Sequence, residues 1–338
     1  MKQATLLLDL KLKKTRKQVF LEQMEQVVPW ADLIALIAPY YPEGKNGRPP
    51  FPLMTMLRTH FMQQWFTLSD PAMEEAFFDT PLYREFAQLE EFARMPDEST
   101  ILRFRHRLEE HKLAEQILIT VNDLLSAKSL LLKAGTVVDA TLIAAPTSTK
   151  NKDRARDPDM HSSKKGNQWY FGMKAHIGVD AESGLVQTMR GTYGHVSDIA
   201  EVNTLLHVQQ SVVFGDAGYQ GIEKRPEATA DVIWHVAMRP GKRKALNKEN
   251  EADALIDQAE KLKAGIRAKV EHPFRVLKRQ FGFVKMRFHG LKKNTAQLIT
   301  LFALSNLRMV RSKLMIRGTS APENRATALQ RAKNTNGK

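Results

Sequence analysis

The chain has 338 residues, and its 51 lysines and arginines exceed its 37 aspartates and glutamates, which gives a net charge of +14. This length favours two folded units, and the positive charge suits a polyanionic partner, for which DNA, RNA and an anionic membrane all qualify. The absence of cysteine excludes disulfides and thiolate zinc sites, so a bound metal requires oxygen or imidazole ligands.

Residues 1–17 place a short apolar run before a cluster of lysines and arginines, which is the reverse of the order in a secretory signal. Later apolar runs, such as Leu298 to Leu304, are too short to span a bilayer. The sequence therefore predicts a cytoplasmic protein with no membrane partner.

Helical periodicity dominates residues 15–129, where apolar side chains recur three and four positions apart. The segment GKNGRPPFP, from Gly44 to Pro52, cannot continue a helix because proline lacks a backbone donor. One helix is predicted over 52–66, and Ser69 is the expected N-cap of the next. An all-helical N-terminal domain is predicted for residues 1–129.

A third helix is predicted over 100–111, after an N-cap at Asp97 or Ser99. Its basic side chains flank an apolar seam, which makes it a candidate DNA-contacting helix; they are Arg103, Arg105 and Arg107. The alternative is that these arginines form the solvated face of a packing helix.

The pattern changes after Lys133 to runs rich in Val, Ile, Thr and Met, which are typical of strands. Four strands are predicted, over 135–143, 172–180, 185–192 and 211–215. Helices are predicted over 199–207 and from about 253 to 281. A mixed α/β domain is thus predicted for 130–315, with a basic insertion around 222–252, and the polar segment 316–338 is predicted to be a disordered tail.

Two acidic residues follow or interrupt strongly apolar runs. Asp139 lies within GTVVDATLI, and Asp216 follows SVVFG. A carboxylate in a buried strand needs a partner, and neighbouring strands of one sheet can bring two carboxylates together. Hard cations such as Mg²⁺ prefer oxygen ligands of this kind. The alternative is a satisfied strand carboxylate at Asp139 and a turn or cap residue at Asp216.

Glu271 is the candidate third carboxylate. It shares one face of the late helix with three cations, Arg267, Arg275 and Lys278, at spacings of three and four residues. A metal ligand surrounded by phosphate-binding side chains suits phosphodiester chemistry, in which two cations activate the attacking oxygen and stabilise the leaving one. The alternative is an exposed helical ion pair with Arg267 or Arg275.

The chain resembles transposases of bacterial insertion sequences, specifically the IS-five group with a DDE catalytic triad. The resemblance covers most of the chain and rests on VVDATLI around Asp139, the segment STKNKDRARDPDMHSSKKGNQWYFGMKAHIGVD from Ser148, FGDAGYQG around Asp216, and RAKVEHPFRVLKRQFGF from Arg267. The related IS-four pattern has a tyrosine where Ala264 stands, so no tyrosine function is expected on this helix.

The resemblance implies a ribonuclease H-like mixed sheet flanked by helices, in which Asp139, Asp216 and Glu271 bind two Mg²⁺ ions, with Mn²⁺ as a substitute. It also implies cleavage at the element's terminal inverted repeats, strand transfer into target DNA, and a homo-oligomer on double-stranded DNA. The N-terminal helical domain is expected to bind the DNA ends. Two rivals remain, an inactive DNA-binding relative acting as a repressor and a metal-dependent nuclease without strand transfer.

Basic and aromatic side chains between the first two acidic motifs are further candidates for DNA contact, because cations neutralise phosphate and aromatic rings stack on unpaired bases. The candidates are Lys164, Lys165, Trp169 and Lys174. A solvated loop followed by an ordinary strand is the alternative. Tyr219, just after Asp216, is expected to contact DNA as well.

Overall fold

The computed structural model describes residues 13–44, 47–90, 94–133, 135–152, 154–206, 211–225 and 232–319. The chain folds into two compact units. In the first, the helix α1 (Arg16–Val27) is joined to the end of the C-terminal helix, where Arg311 Nε donates to Gln23 Oε1 at 2.9 Å. The second unit, residues 29–309, contains the sheet and most of the helices.

The N-terminal part of the second unit is helical, as predicted. Its helices are α2 (Trp30–Ile37), α3 (Leu53–Phe66), α4 (Asp70–Asp79), α5 (Pro81–Phe86), α6 (Glu98–Glu110) and α7 (Leu113–Ala127). Ser69 caps α4 by accepting from Ala72 N, and Asp97 caps α6 by accepting from Thr100 N. The described residues 47–52 of the proline-rich segment form no helix.

A six-stranded mixed sheet follows. Its strands are β1 (Thr136–Ala144), β2 (His161–Lys165), β3 (Gln168–Asp180), β4 (Val186–Tyr193), β5 (Val212–Gly215) and β6 (Ile233–Val236). The strand order is β2-β3-β1-β5-β6, and β4 also pairs with β3. Strand β1 is antiparallel to β3 and parallel to β5, and β5 is parallel to β6. This is the ribonuclease H-like arrangement that the resemblance implied.

Several elements differ from the sequence-based expectation. Strand β2 was not predicted, because HSSKK has too few apolar residues, yet it forms a hairpin with the start of β3 across Gly166. The region predicted as a basic insertion contributes β6 and the helix α9 (Pro240–Lys244). The helix expected over 199–207 is only the short α8 (Val202–Leu205), and residues 207–210 lie outside the described part of the chain.

The predicted late helix is divided into several segments. The helix α10 (Glu251–Arg267) ends in a 3₁₀ turn over Ala268–Val270, and α11 (Glu271–Arg275) continues into a π-helical turn, Val276–Gln280. Pro273 is the third residue of α11, where a backbone N–H has no partner inside that helix, so proline is tolerated. Val270 and Glu271 keep right-handed helical backbone angles, so the chain stays helical from α10 into α11.

The helix α12 (Leu291–Thr319) is the last described element, and residues 320–338 of the predicted tail lie outside the described residues. A buried polar network connects α12, α7 and the sheet. Asn306 Nδ2 donates to Asn122 Oδ1 at 2.9 Å, and Asn306 Oδ1 accepts from Val186 N at 2.9 Å. The predicted helical domain thus packs directly against the sheet, and the domain boundary at 129/130 stays a prediction.

The core beside the predicted acidic site is apolar. It contains Val138, Val202, Leu205, Val213, Tyr219, Ile222 and Trp234. These side chains come from β1, β5, β6 and the segments that pack against them, and together they bury the sheet beside Asp139 and Asp216. Within the described residues, we find no helix whose length and apolar character would let it cross a membrane.

Candidate active site

The parallel pairing of β1 with β5 brings two of the predicted carboxylates to one place. Val137 is the register partner of Phe214, and Asp139 and Asp216 each lie two residues further along their own chains. Both line one cleft of about 190 Å³. Each is only partly exposed. The first two members of the predicted acidic set therefore meet in the fold.

Backbone N–H groups orient both carboxylates. Asp139 Oδ1 accepts from Ala140 N at 2.7 Å, and Asp216 Oδ1 accepts from Gly218 N at 2.8 Å. No donor among the described residues bonds the Oδ2 atom of either group. A Cβ on Gly218 would lie 2.8 Å from Asp216 Oδ1, so a larger residue there would displace this carboxylate oxygen. Each aspartate thus has one oxygen fixed and one oxygen available to the cleft.

Burial makes a second negative charge costly in this cleft. Burial raises the pKa of Asp139 to about 6, and the nearby Asp216 adds to the rise. The hydrogen bond from Ala140 and the positive charge of Arg267 act in the opposite direction. A bound cation would remove the repulsion between the two carboxylates, so the electrostatics of the cleft favour one.

A further carboxylate lines the same cleft and was not among the predicted site residues. Asp198, in the segment after β4, contributes to the raised pKa of Asp139. Its Oδ1 atom accepts from Lys174 Nζ at 2.9 Å, and Lys174 also donates to Val196 O at 2.7 Å. An Asp before a predicted helix is usually a cap, so the sequence offered no specific signal for it.

The third predicted carboxylate, Glu271, begins α11 and is exposed. Arg267, four residues earlier, is close enough to Asp139 to lower its pKa. Lys278, seven residues later, donates to Thr141 Oγ1 at 2.6 Å on β1. Arg267 and Lys278 thus act on Asp139 and on β1 from positions before and after Glu271 in the chain, whereas Glu271 itself does not line the acidic cleft.

The donor set partly fits a divalent cation. Asp139 and Asp216 supply hard oxygen atoms with free Oδ2 positions, which suits Mg²⁺ or a similar ion. Across the described residues, however, no three His, Asp or Glu side chains stand close enough together to hold a metal ion. A third ligand from Glu271 therefore needs a shift of its side chain or of α11.

Comparison with known proteins decides the family. A model described as the transposase DDE domain matches residues 131–307, more than half of the chain. The chain belongs to the DDE transposase family. A second model, described as a transposase domain (DUF772), matches residues 9–107. A cryo-EM structure of the piggyBac transposase synaptic complex with hairpin DNA is similar at 13% identity and a TM-score of 0.37, with 95% of this chain and 86% of that chain covered.

Membership of this family establishes a DNA transposase, a polynucleotidyl transferase that depends on a divalent metal and acts on DNA. The match over 131–307 contains the sheet, the cleft and α11. The acidic cleft beside β1 and the end of β5 is therefore the candidate active site of the transposase, and the side chains around it are candidates for DNA contact.

The β2–β3 hairpin places several of the predicted DNA contacts beside the cleft of the transposase. Lys164 is exposed and lines the cleft, and its register partner Trp169 has 67% of its surface exposed. Lys165 is in β2, but its side chain lies outside the described residues. Lys174 also lines the cleft, although its ammonium is paired with Asp198. The hairpin therefore places one accessible lysine, Lys164, and one exposed aromatic ring, Trp169, beside the cleft.

Two predicted DNA contacts are not supported by their positions. Tyr219 is 1% exposed, and its ring packs against Gly215 in the core beneath the cleft. Arg105 is 9% exposed, forms an ion pair with Asp70 at 2.9 Å, and lies over the ring of Phe288. Both are corrected to structural residues, because a buried side chain cannot reach a phosphate without local unfolding.

The remaining predicted cations occupy different environments. Arg103 and Arg275 are exposed. Arg107 is partly buried and donates to Tyr40 O at 2.9 Å. Arg267 faces the acidic cleft, and Lys278 is bonded to β1. A DNA contact stays a prediction for each of them, and the side chains of Arg103 and Arg275 are the most accessible to DNA.

Proposed function

We propose that this transposase cleaves DNA at the terminal inverted repeats of an insertion sequence of the IS-five group and joins the resulting 3′ hydroxyls to target DNA. Asp139, Asp216 and Glu271 would hold two Mg²⁺ ions, for which Mn²⁺ can substitute. The observation that carries the proposal is the meeting of Asp139 and Asp216 in one cleft, each with a free Oδ2 atom.

The metal ions, when bound, supply activation of the attacking oxygen and stabilisation of the leaving oxygen. The protein's own side chains orient the DNA. Asp139 and Asp216 keep their Oδ2 atoms toward the cleft because their Oδ1 atoms are fixed by backbone donors. Lys164 can neutralise a phosphate at the cleft, and the exposed Trp169 can stack on a base that has left the duplex.

The helical N-terminal half is proposed to bind the terminal repeats. Two ends must be cut and joined together, so we propose that the transposase acts as a homo-oligomer on double-stranded DNA. The match of the transposase domain model to residues 9–107 supports a transposition-related function for this half. Exposed cations on α6, such as Arg103, support contact with a polyanion.

A strand-transfer assay tests the proposal. Purified protein, Mg²⁺, terminal-repeat DNA and a target plasmid are incubated with wild type, Asp216→Asn, Glu271→Gln and the control Asp123→Asn, whose carboxylate is exposed on α7. Wild type and the control should join DNA, whereas the two active-site variants should bind DNA without cleaving it.

The rivals give different results in the same assay. Cleavage without joined product would indicate a metal-dependent nuclease, and binding without cleavage would indicate an inactive relative that acts as a repressor. Loss of DNA binding together with cleavage in Glu271→Gln would contradict a metal-ligand function for Glu271 and point to a structural one.

A further inference from the structure

A pocket of about 380 Å³ lies between the proline-rich segment 47–52 and α6, in the helical part of the second unit. Its volume is within the range of about 300–1,000 Å³ that is usual for small-ligand sites. Four arginines line it. Arg48 precedes α3, Arg94 follows α5, and Arg103 and Arg107 are on α6. The pocket is separate from the acidic cleft and shares no lining residue with it.

Local contacts fix two of these arginines. Arg94 lies 3.7 Å from the centre of the Phe51 ring and donates to Pro49 O at 3.2 Å. Arg107 donates to Tyr40 O at 2.9 Å. Arg48 and Arg103 are exposed, and neither forms a hydrogen bond or an ion pair within the described part of the chain. Two guanidinium groups therefore remain available to an anion, beside two that are already oriented.

Little negative charge balances these four cations. Asp97 is the one acidic side chain that lines the pocket, and its Oδ1 atom is engaged by Thr100 N at 2.6 Å and by Ser99 Oγ at 2.8 Å, as the cap of α6. Tyr41 also lines the pocket, and burial raises the pKa of its hydroxyl to about 12, so it carries no negative charge at neutral pH. The pocket is therefore strongly cationic at neutral pH.

Part of the pocket wall is apolar. Phe51, Met56 and Phe104 line it and are buried, with exposed fractions of 8%, 1% and 5%. Tyr41 meets the Phe104 ring edge-on, at 6.1 Å between ring centres, and its hydroxyl donates to Phe51 O. An inorganic anion would use only the cationic groups. A ligand with both an anionic group and a flat apolar group would use the whole pocket.

We infer that this pocket binds one unpaired nucleotide of a DNA strand, with the phosphate held by Arg48 and Arg103 and the base against Phe51, Met56 and Phe104. A base inside a duplex is stacked and paired, so only one that has left the duplex can enter a pocket of this depth. The inference rests on the proposed function, because it takes the transposase's own DNA end as the ligand.

Fluorescence of terminal-repeat DNA tests the inference with the full chain in metal-free buffer, so that cleavage does not contribute. A 2-aminopurine is placed at successive positions near the end, and binding is followed by anisotropy over a range of salt concentrations. Wild type should brighten the probe at one position. The variant Arg48→Gln/Arg103→Gln should lose that signal, bind at least about tenfold more weakly, and have a salt slope lower by about 2.

Lys293→Gln is the matched control, because Lys293 is exposed on α12 and does not line the pocket. It should behave like wild type, and the melting temperatures of all variants should agree, since the changed side chains are exposed. A wild-type complex that brightens no probe position, or a double variant that binds as wild type does, would overturn the inference. A wild type that brightens the probe but gives no joined product would contradict the proposed strand transfer alone.

Discussion

Lys278 Nζ donates to Thr141 Oγ1 at 2.6 Å and to Leu142 O at 3.3 Å, so the π-helical turn after α11 is bonded to β1 just beyond Asp139. Lys278 was predicted to contact DNA, but its observed contacts are within the protein. They hold the helix of Glu271 against the strand of Asp139. Lys278 therefore acts on the position of the proposed third carboxylate, Glu271, through contacts within the protein.

Replacing Lys278 with methionine should lower the free energy of unfolding by about 1–3 kcal/mol, because two partly buried acceptors on β1 lose a charged donor. Arg275→Met is the control, since Arg275 is exposed on α11 and its loss should change stability by less than about 0.5 kcal/mol. Urea denaturation measures both. Equal stability of the two variants would contradict the anchoring function of Lys278.

Part of the fold is predictable from the sequence, because the spacing of apolar residues and the helix N-cap residues agree with the tertiary structure. Ser69 and Asp97 begin helices where they were expected, and the apolar runs around Asp139 and before Asp216 form neighbouring strands. Strand β2 could not be predicted, because its pairing with β3 depends on backbone hydrogen bonds and not on apolar periodicity. The division of the late helix into α-helical, 3₁₀ and π-helical segments was not predicted, because apolar spacing does not distinguish these helix types.

The titration of Asp139 predicts how stability changes with pH in metal-free buffer. Burial raises the pKa of this group from 3.8 to about 6, so the folded state binds the proton more tightly than the unfolded state does. The contribution of Asp139 to stability is therefore complete below about pH 4 and is lost as pH rises to about 6.

Asp139→Asn should consequently be more stable than wild type at neutral pH, by at most about 3 kcal/mol, and equally stable below about pH 4. Thermal or urea unfolding over this pH range measures the difference. Asp123→Asn, at an exposed position, should follow wild type throughout. A constant difference between Asp139→Asn and wild type at all pH values would contradict the raised pKa.

Tyr219 is a buried aromatic side chain and Trp169 is an exposed one, so substitutions at the two positions should have different effects. The hydroxyl of Tyr219 is buried without a hydrogen-bond partner in the described structure, so Tyr219→Phe should leave DNA affinity unchanged and raise stability by about 1 kcal/mol. Trp169→Ala should instead weaken binding to single-stranded DNA by about 1–3 kcal/mol, with no loss of stability. Anisotropy and denaturation measure the two effects, and weaker DNA binding by Tyr219→Phe would restore its predicted contact.

The active site was predictable to different extents. Asp139 and Asp216 follow from strand placement, because parallel neighbours in one sheet bring their ends together. Glu271 depended on the resemblance and stays a prediction, because it is exposed at the start of α11 and does not line the cleft. Asp198 and the arginine-lined pocket were not predictable, because Asp198 reaches the cleft through an irregular segment and Arg48 is distant from Arg103 in sequence.

The ion pair between Asp198 and Lys174 determines whether Lys174 is available to DNA. The two side chains are 2.9 Å apart at the edge of the acidic cleft, and the Asp198 side chain is 42% exposed. Asp198→Asn removes the counter-charge, so DNA affinity at low salt should rise by about twofold to fivefold, the range of a weak, partly exposed ion pair. Lys174→Gln should lower DNA affinity, because the cation itself is removed.

The pair of variants distinguishes competition for Lys174 from a general change in surface charge. Glu223→Gln, which removes an exposed carboxylate outside the cleft, is the control and should change DNA affinity less than Asp198→Asn does. The rise should disappear in the double variant Asp198→Asn/Lys174→Gln, because the freed ammonium is then absent, and it should decrease as added salt screens the contact. A rise of the same size in the double variant would show that Asp198 repels DNA directly and does not act through Lys174.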